Sequence, residues 1–163
     1  MNVGLIGIGT VGGGTYKVLK ENFEEIYNKT GIEIQITMVA DKNLSLARET
    51  VDQDTQVVED AFELVGHKDV DLVVELIGGT GVARDLVKQA LSNGKHVVTA
   101  NKALIALHGE ELFKLAEDNL VNLAYEAAVA GGIPIIKALR EGLSGNKIEW
   151  VVGIMNGTTN YIL

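Results

Sequence analysis

The chain opens with MNVGLIGIGTVGGGTYKVLKEN, residues 1–22, and this stretch decides the fold. Residues 1–6 are mostly apolar and no helix start signal precedes them, which predicts a short buried strand. Gly7, Gly9 and Gly12 follow at once with the G-x-G-x-x-G spacing, and from Val11 onward the apolar residues recur at helical spacing. Strand, glycine turn and helix in this order are typical of a dinucleotide-binding unit; a purely structural glycine turn is the alternative.

The three glycines have separate steric tasks in such a unit. Gly7 permits the tight turn, Gly9 lets the backbone approach a pyrophosphate closely, and Gly12 lets the helix pack against the strand. The N–H groups near Thr10, Val11 and Gly12 are expected to face an anion, with the positive end of the helix dipole behind them. These five residues are therefore predicted to bind the phosphates of a cofactor.

Composition limits the kind of protein this is. The 163 residues suit about one domain, and 47% of them are hydrophobic while only 5% are aromatic, a profile that favours buried parallel strands. The net charge of −8 argues against a nucleic-acid partner. There is no cysteine, which favours a reducing, cytoplasmic compartment. Neither a signal peptide nor an apolar run long enough for a membrane span is recognised, so no membrane partner is expected.

Strand and helix patterns alternate through the rest of the chain. Apolar or alternating runs predict strands at residues 32–40, 69–77, 96–99, 121–125 and 148–154. Helical spacing predicts a first helix that begins at residue 11 and ends at residues 28–31, and further helices at residues 57–66, 83–91, 110–118 and 134–139. The first helix is expected to bury one stripe: Val11, Thr15, Val18, Leu19, Phe23 and Ile26. The alternation predicts one α/β domain over residues 1–163, with a Rossmann-type, doubly wound, mostly parallel sheet and helices on both faces.

The residues that follow the second predicted strand bear on the choice of cofactor. Asp41 stands at the carboxyl end of that strand, where an acidic residue accepts hydrogen bonds from the ribose hydroxyls of the adenosine. Lys42 comes next and could instead pair with a 2′-phosphate. A turn or helix cap before Asn43 is the structural alternative for Asp41. The sequence therefore leaves NAD and NADP both open.

Two further strand ends are predicted to reach the same edge of the sheet. Gly78 and Gly79 follow one strand, where ligands of open α/β sheets bind, although a glycine turn for chain reversal is the alternative. Asn101 and Lys102 follow the next strand. Apolar neighbours predict that the Lys102 ammonium is partly desolvated and hydrogen-bonds cofactor or substrate; an exposed lysine at a strand end is the alternative.

At this point the chain resembles the N-terminal part of homoserine dehydrogenase. Five stretches carry the resemblance: GLIGIGTVG (4–12), ELIGG (75–79), TANKALIA (99–106), YEAAVAGGIPII (125–136) and NGTTNYIL (156–163). The first is common to many dehydrogenases, whereas the last three in this order are specific. Together they span essentially the whole chain.

The resemblance implies an activity and assigns residues to it. Members of that family reversibly reduce aspartate semialdehyde to homoserine with NAD(P)H, in the branch towards threonine and methionine. Lys102 is then expected to contact the nicotinamide end and to help organise the reacting carbonyl. The segment from Glu126 resembles the family's monovalent-cation loop, in which Glu126, Val129, Gly131 and Ile133 would give oxygens to a sodium ion, mostly from backbone carbonyls.

Two features depart from the family pattern. Many NADP-preferring relatives have an arginine just before the acid that follows strand two, and this chain has Ala40 there. The family's substrate-binding acids and proton-transferring lysine come from a following domain, so residues 156–163 are expected to begin the connection to a catalytic and dimerisation domain. The chain alone should bind cofactor without turnover, and the longer enzyme should be a homodimer or larger.

Two other functions are compatible with the sequence. One is a dehydrogenase for another small semialdehyde, against which the Asn-Gly-Thr-Thr-Asn stretch at residues 156–160 argues. The other is a nucleotide-sensing module without chemistry, which would need the glycine loop but would have no use for Lys102.

Overall fold

A computed structural model describes residues 1–153, and these residues form a six-stranded sheet. Its strands are β1 (Asn2–Ile6), β2 (Gln35–Ala40), β3 (Gln56–Val58), β4 (Leu72–Glu75), β5 (His96–Thr99) and β6 (Leu123–Ala124). Their spatial order is β3-β2-β1-β4-β5-β6, and every neighbouring pair is parallel. This is the predicted doubly wound parallel sheet.

The described residues also contain seven α-helices. These are α1 (Thr10–Glu21), α2 (Phe23–Thr30), α3 (Leu44–Thr50), α4 (Ala61–Gly66), α5 (Gly81–Ser92), α6 (Lys102–Asp118) and α7 (Ile135–Lys137). A 3₁₀ turn, Glu126–Ala128, precedes α7, and a π-helical turn, Ala138–Gly142, follows it. In this part of the chain no helix is long and apolar enough to cross a bilayer.

The sheet is covered on both faces, which explains why its central strands β1 and β4 are mostly apolar. On one face Ile6 and Met38 pack in a cluster with residues of α4, α5 and α6, including Leu86. On the other face Leu5 packs in a second cluster that includes Tyr16 of α1 and residues of β2 and α3. Helices therefore lie on both faces, as the alternation of patterns predicted.

The predicted helix over residues 57–66 is wrong in its first half. Residues 56–58 form β3, where Val57 pairs with Val39 of β2, and the helix begins only at Ala61. Asp60 explains the late start, since its side chain accepts a hydrogen bond from the Phe62 N–H at 2.9 Å and so caps α4. A strand of three residues is too short to show a period of its own.

The first helix is divided, and its predicted buried stripe is wrong. Asn22 lies between α1 and α2 and interrupts the helix. The predicted end of the helical segment at residues 28–31 is confirmed, because the C-cap of α2, Gly31, has a left-handed conformation. The buried residues of α1 are Gly12 and Tyr16, whereas Val11 and Val18 are 59% and 56% exposed. A glycine face carries no hydrophobic signal, although it allows the closest approach to the sheet.

Two further predictions fail at element boundaries. The helix predicted at residues 110–118 begins eight residues earlier, at Lys102, because the Asn101 side chain caps it by accepting from the Leu104 N–H at 3.0 Å. The closing strand predicted from residue 148 is absent as far as residue 153, and Trp150 is 76% exposed there without a strand beside it. Ile154 and the segment 156–163 lie outside the described residues.

A charged cluster of half-buried side chains joins α5 to α6. The Arg84 guanidinium donates to Glu111 Oε2 from Nε at 3.0 Å and from Nη2 at 2.7 Å, and Lys88 Nζ donates to Oε1. These two cations lower the pKa of Glu111 from 4.5 to about 2, the hydrogen bond from Lys88 being the largest cause. The cluster holds the carboxylate in its charged form.

We expect this cluster to make the stability of the chain depend on acid pH. Because folding lowers the pKa of Glu111, its contribution is present above pH 4.5 and is lost as the pH falls from there towards about 2. Urea unfolding should show that Glu111→Gln lowers the midpoint at pH 6, and that the difference from wild type shrinks as the pH falls through this range. Glu110→Gln, which removes an exposed neighbouring carboxylate, is the control. An undiminished difference at low pH would contradict the account.

Candidate functional site

The candidate site lies where the carboxyl ends of four parallel strands meet. Strands β1 and β4 are neighbours at the centre of the sheet, and the chain continues from β1 towards β2 on one side and from β4 towards β5 on the other. Such a switch point opens a crevice in which ligands of doubly wound folds bind. The predicted cofactor residues follow β1, β2, β4 and β5, so the topology brings all four groups to one edge.

The glycine loop after β1 has the geometry that the sequence predicted. Gly7 has φ +93°, which L side chains rarely adopt, and its N–H donates to the Ala40 carbonyl at 2.9 Å. A Cβ at Gly12 would lie 1.9 Å from the Gly7 carbonyl oxygen, so the helix packs directly on the turn. A Cβ at Gly9 would meet no atom within 4 Å. The loop is therefore closely packed where Gly12 meets Gly7 and open to solvent at Gly9.

The open side of the loop exposes the N-terminus of α1. Thr10 and Val11 are exposed, and the first turn of this twelve-residue helix contains no acidic residue. Within the described chain, no side chain caps the helix at Gly9. Backbone N–H groups and the helix dipole therefore face solvent in front of Gly9, an arrangement that suits a pyrophosphate.

Asp41 ties the end of β2 to the glycine loop. Its Oδ2 accepts from the Ile8 N–H at 2.7 Å, and its Oδ1 accepts from the Asn43 N–H at 2.8 Å. The helix cap itself is Asn43, whose side chain accepts from the Leu46 N–H. Asp41 is thus a turn acceptor and also half-buried beside the loop, while Lys42 is exposed next to it.

A buried polar network that the sequence did not reveal connects the ends of β4 and β5. Glu75 is fully buried, and its Oε1 accepts from the Ile77 N–H at 3.0 Å and the Gly78 N–H at 3.3 Å. The Thr99 hydroxyl donates to Glu75 Oε2 at 2.6 Å. An acidic residue inside an otherwise apolar strand was its signal in sequence, but its burial depends on the pairing of Glu75 with Thr99.

The same network continues to Asn101. The Asn101 N–H donates to the Thr99 hydroxyl oxygen at 3.0 Å, and its Nδ2 donates to the Gly79 carbonyl at 2.5 Å. Asn101 therefore links the 77–79 loop to the start of α6, in addition to capping that helix. The predicted site residues Gly78, Gly79 and Asn101 belong to one hydrogen-bonded unit.

Lys102 is the first residue of α6 and is exposed. The expectation that its ammonium is partly desolvated is wrong for the chain by itself. Helix geometry is the reason, because the apolar residue that turns inward is Leu104, which is fully buried, while Ala103 is exposed beside the lysine. The ammonium is accordingly accessible to a ligand at the edge of the sheet.

Comparison with known families identifies this arrangement. Residues 7–126 match the family model described as the homoserine dehydrogenase NAD-binding domain. The chain belongs to the homoserine dehydrogenase family. Residues 134–163 match a second model of that family, described as homoserine dehydrogenase. The predicted resemblance is confirmed.

Individual homoserine dehydrogenases are similar to the whole chain but are much longer. The enzyme of Neisseria gonorrhoeae is 55% identical over 163 residues, and the chain spans 37% of its length. A crystal structure of homoserine dehydrogenase from Thiobacillus denitrificans has a TM-score of 0.91 at 53% identity, covering 99% of this chain and 37% of that one. A hyperthermophilic archaeal homoserine dehydrogenase, solved in complex with NADPH, has a TM-score of 0.71 at 26% identity and covers 88% and 49%.

The four residues predicted to hold sodium lie in one short loop between β6 and α7. The Glu126 carboxylate accepts from the Ile136 and Lys137 N–H groups, each at 2.9 Å, and thereby fixes the start of α7. The Glu126 carbonyl accepts from Val129 N–H, and the Ile133 carbonyl accepts from the N–H two residues later. Gly131 turns with φ +60°. Glu126 therefore has a structural task that the sequence did not reveal.

Proposed function

We propose that this chain is the NAD(P)-binding part of a longer homoserine dehydrogenase, which reversibly reduces aspartate semialdehyde to homoserine. The observation that carries the proposal is the glycine loop, closed behind by the contact of Gly12 with Gly7 and open in front of Gly9. This opening, with the uncapped start of α1, fits a dinucleotide pyrophosphate. Family membership then supplies the substrate class.

Different residues at the carboxyl edge of the sheet bind different parts of the dinucleotide. Gly7, Gly9 and the N–H groups of residues 10–12 hold the pyrophosphate, and Asp41 with Lys42 faces the adenosine ribose. Gly78, Gly79 and Asn101 line the nicotinamide half of the crevice. A bound nicotinamide supplies the hydride of the reduction or accepts it in the reverse direction, and the protein orients the reacting groups.

Lys102 is the residue of this chain that we place at the reacting carbonyl. Its exposed ammonium stands at the start of α6, which Asn101 caps and fixes. A cationic donor held there can hydrogen-bond the carbonyl oxygen and stabilise the negative charge that develops on it during reduction. The groups that bind the substrate carboxylate and transfer the proton are expected from the part of the enzyme beyond this chain.

The activity of the full-length gene product tests the proposal. Purified protein should oxidise NADPH or NADH in the presence of L-aspartate 4-semialdehyde and reduce either oxidised cofactor in the presence of L-homoserine. Other small semialdehydes serve as the competing substrates. Turnover of one of these in place of aspartate semialdehyde would indicate a related dehydrogenase, and cofactor binding without any turnover would indicate a nucleotide-sensing module.

The pair Asp41 and Lys42 should set the preference between NADH and NADPH. A 2′-phosphate would meet the Asp41 carboxylate, so Asp41→Asn should improve the affinity for NADPH relative to NADH by about tenfold, or 1.4 kcal/mol. Lys42→Ala should move the ratio in the opposite direction, because it removes the cation beside the phosphate. Calorimetric titration of both variants measures the ratios. Two variants that shift the ratio in the same direction would contradict these roles.

The remaining family properties stay predictions. Oxygen ligation of sodium by Glu126, Val129, Gly131 and Ile133 is supported by their grouping in one loop and by the hard-oxygen donors that group-one cations prefer. A homodimeric or larger assembly, a cytoplasmic location and the boundary of the cofactor domain near residue 156 also stay predictions.

A further inference from the structure

We propose that Glu75 is a positioning residue for the nicotinamide half of the site, acting through Thr99 on Asn101 and Lys102. The inference rests on the proposed function for its kinetic consequence. Glu75 is fully buried, and neither the glycine loop nor the reacting groups assigned above account for a carboxylate at this place. Burial of such a group is costly unless it is well hydrogen-bonded, so its presence calls for a task.

The hydrogen bonds of Glu75 divide cleanly between two segments. Oε1 accepts from the backbone N–H groups of Ile77 and Gly78, which begin the loop after β4. Oε2 accepts from the hydroxyl of Thr99, the last residue of β5. Among residues 1–153 these three donors are the partners of the carboxylate, and all of them are uncharged. The carboxylate therefore acts as a clamp between two strand ends rather than as one half of an ion pair.

The hydrogen-bond partners of the Thr99 hydroxyl determine which group it donates its hydrogen to. The Thr99 oxygen accepts from the Asn101 N–H at 3.0 Å, which leaves its own hydrogen to be donated to Glu75. The hydrogen bond from the Asn101 N–H to Thr99 and that from Thr99 to position 75 both form only when the side chain at position 75 presents an acceptor to the hydroxyl. Glutamine can place an amide NH₂ there instead, and the Thr99 hydrogen then loses its acceptor.

The hydrogen-bonded network fixes Asn101, the residue that directly precedes Lys102 in the chain. Asn101 is fixed at its N–H by Thr99, at its Nδ2 by the Gly79 carbonyl and at its Oδ1 by the Leu104 N–H. Lys102 is the next residue and has an exposed side chain without burial of its own to hold it. The orientation of the helix start, and with it the position of the lysine relative to the 77–79 loop, therefore depends on Glu75.

The test uses the full-length enzyme with substitutions at Thr99. Thr99→Val is nearly isosteric but removes the hydroxyl, so the Glu75 Oε2 and the Asn101 N–H each lose a partner. Displacement of Lys102 by about 1 Å should then lower kcat about a hundredfold. The KM for the cofactor should change little, because the pyrophosphate is held by the separate loop at Gly9. Thr99→Ser retains the hydroxyl and should restore kcat to near the wild-type value.

A purely structural role for the network predicts a different pattern. It would lower the melting temperature of Thr99→Val while leaving kcat of the folded enzyme within about twofold of that of Thr99→Ser, and this result would overturn the inference. If Thr99→Val does not fold, Glu75→Gln replaces it with the same expected split between kcat and KM. A normal kcat for folded Glu75→Gln would likewise overturn the inference.

Failure of the proposed function is distinguishable from failure of the clamp. A wild-type enzyme that lacks the reductase activity refutes the proposed function. Amide hydrogen exchange then tests the first step of the inference, the hold of Glu75 on the 77–79 loop: faster exchange of the Ile77 and Gly78 N–H groups in Thr99→Val than in Thr99→Ser supports that step. Equal exchange in the two variants overturns it.

Discussion

Replacement of Gly12 by alanine is expected to abolish dinucleotide binding and to lower the free energy of unfolding of this chain by about 3 kcal/mol. The added Cβ would lie 1.9 Å from the Gly7 carbonyl oxygen and 2.8 Å from its carbonyl carbon. Both are backbone atoms, so no flexible side chain can move aside. The start of α1 and the turn at Gly7 must therefore move apart, which changes the shape of the glycine loop.

Gly14 provides a matched control within the same helix. It is exposed, and a Cβ there would meet no atom within 4 Å. Because glycine is a poor helix former, Gly14→Ala should stabilise the chain by about 0.5–1 kcal/mol and should leave nucleotide binding unchanged. Urea unfolding and calorimetric titration of both variants measure these effects. Retention of wild-type binding by Gly12→Ala would show that the close contact is not what shapes the loop.

Replacement of Lys102 by alanine in the full-length enzyme is expected to reduce kcat by about 10²–10³-fold, the usual cost of removing one donor that stabilises a developing oxyanion. The affinity for the cofactor should be mostly retained, because the pyrophosphate is held by the glycine loop at the end of β1. A lysine that acts only at the reacting carbonyl stabilises the transition state more than it stabilises the bound cofactor. Steady-state kinetics and cofactor titration separate the two.

Lys114→Ala is the control for this prediction. Lys114 is also exposed and lies on α6, about three turns after Lys102. Its removal changes the net charge of the helix equally, and kcat should stay near the wild-type value. Unchanged turnover of Lys102→Ala would remove the lysine from its assigned role at the reacting carbonyl.

The sequence was most informative where a backbone requirement admits one residue type. The tasks of Gly7 and Gly12 follow from their spacing between a strand pattern and a helix pattern, since a left-handed turn and a contact with a backbone oxygen both exclude side chains. The apolar strands were recognised for a similar reason, because burial on both faces demands continuous hydrophobic residues. The parallel sheet and its carboxyl edge follow from these two signals.

The sequence was least informative where a residue's environment is set by a distant partner. Glu75 and Thr99 are 24 residues apart and meet only through the pairing of β4 with β5, so neither shows in sequence that it is buried. The buried stripe of α1 was assigned wrongly because apolar spacing favoured Val11 and Val18, whereas Tyr16 is buried together with Gly12. Lys102 was expected among apolar neighbours because neighbours in sequence were read as neighbours in space.

The most direct test of the account is a calorimetric titration of the 163-residue chain with NADH and with NADPH. The glycine loop is complete within the chain, so at least one of the two should bind with one-to-one stoichiometry and a Kd below about 1 mM. The Gly12→Ala chain should bind neither. Absence of saturable binding of both dinucleotides to the folded wild-type chain would contradict the claim that this loop forms the cofactor site.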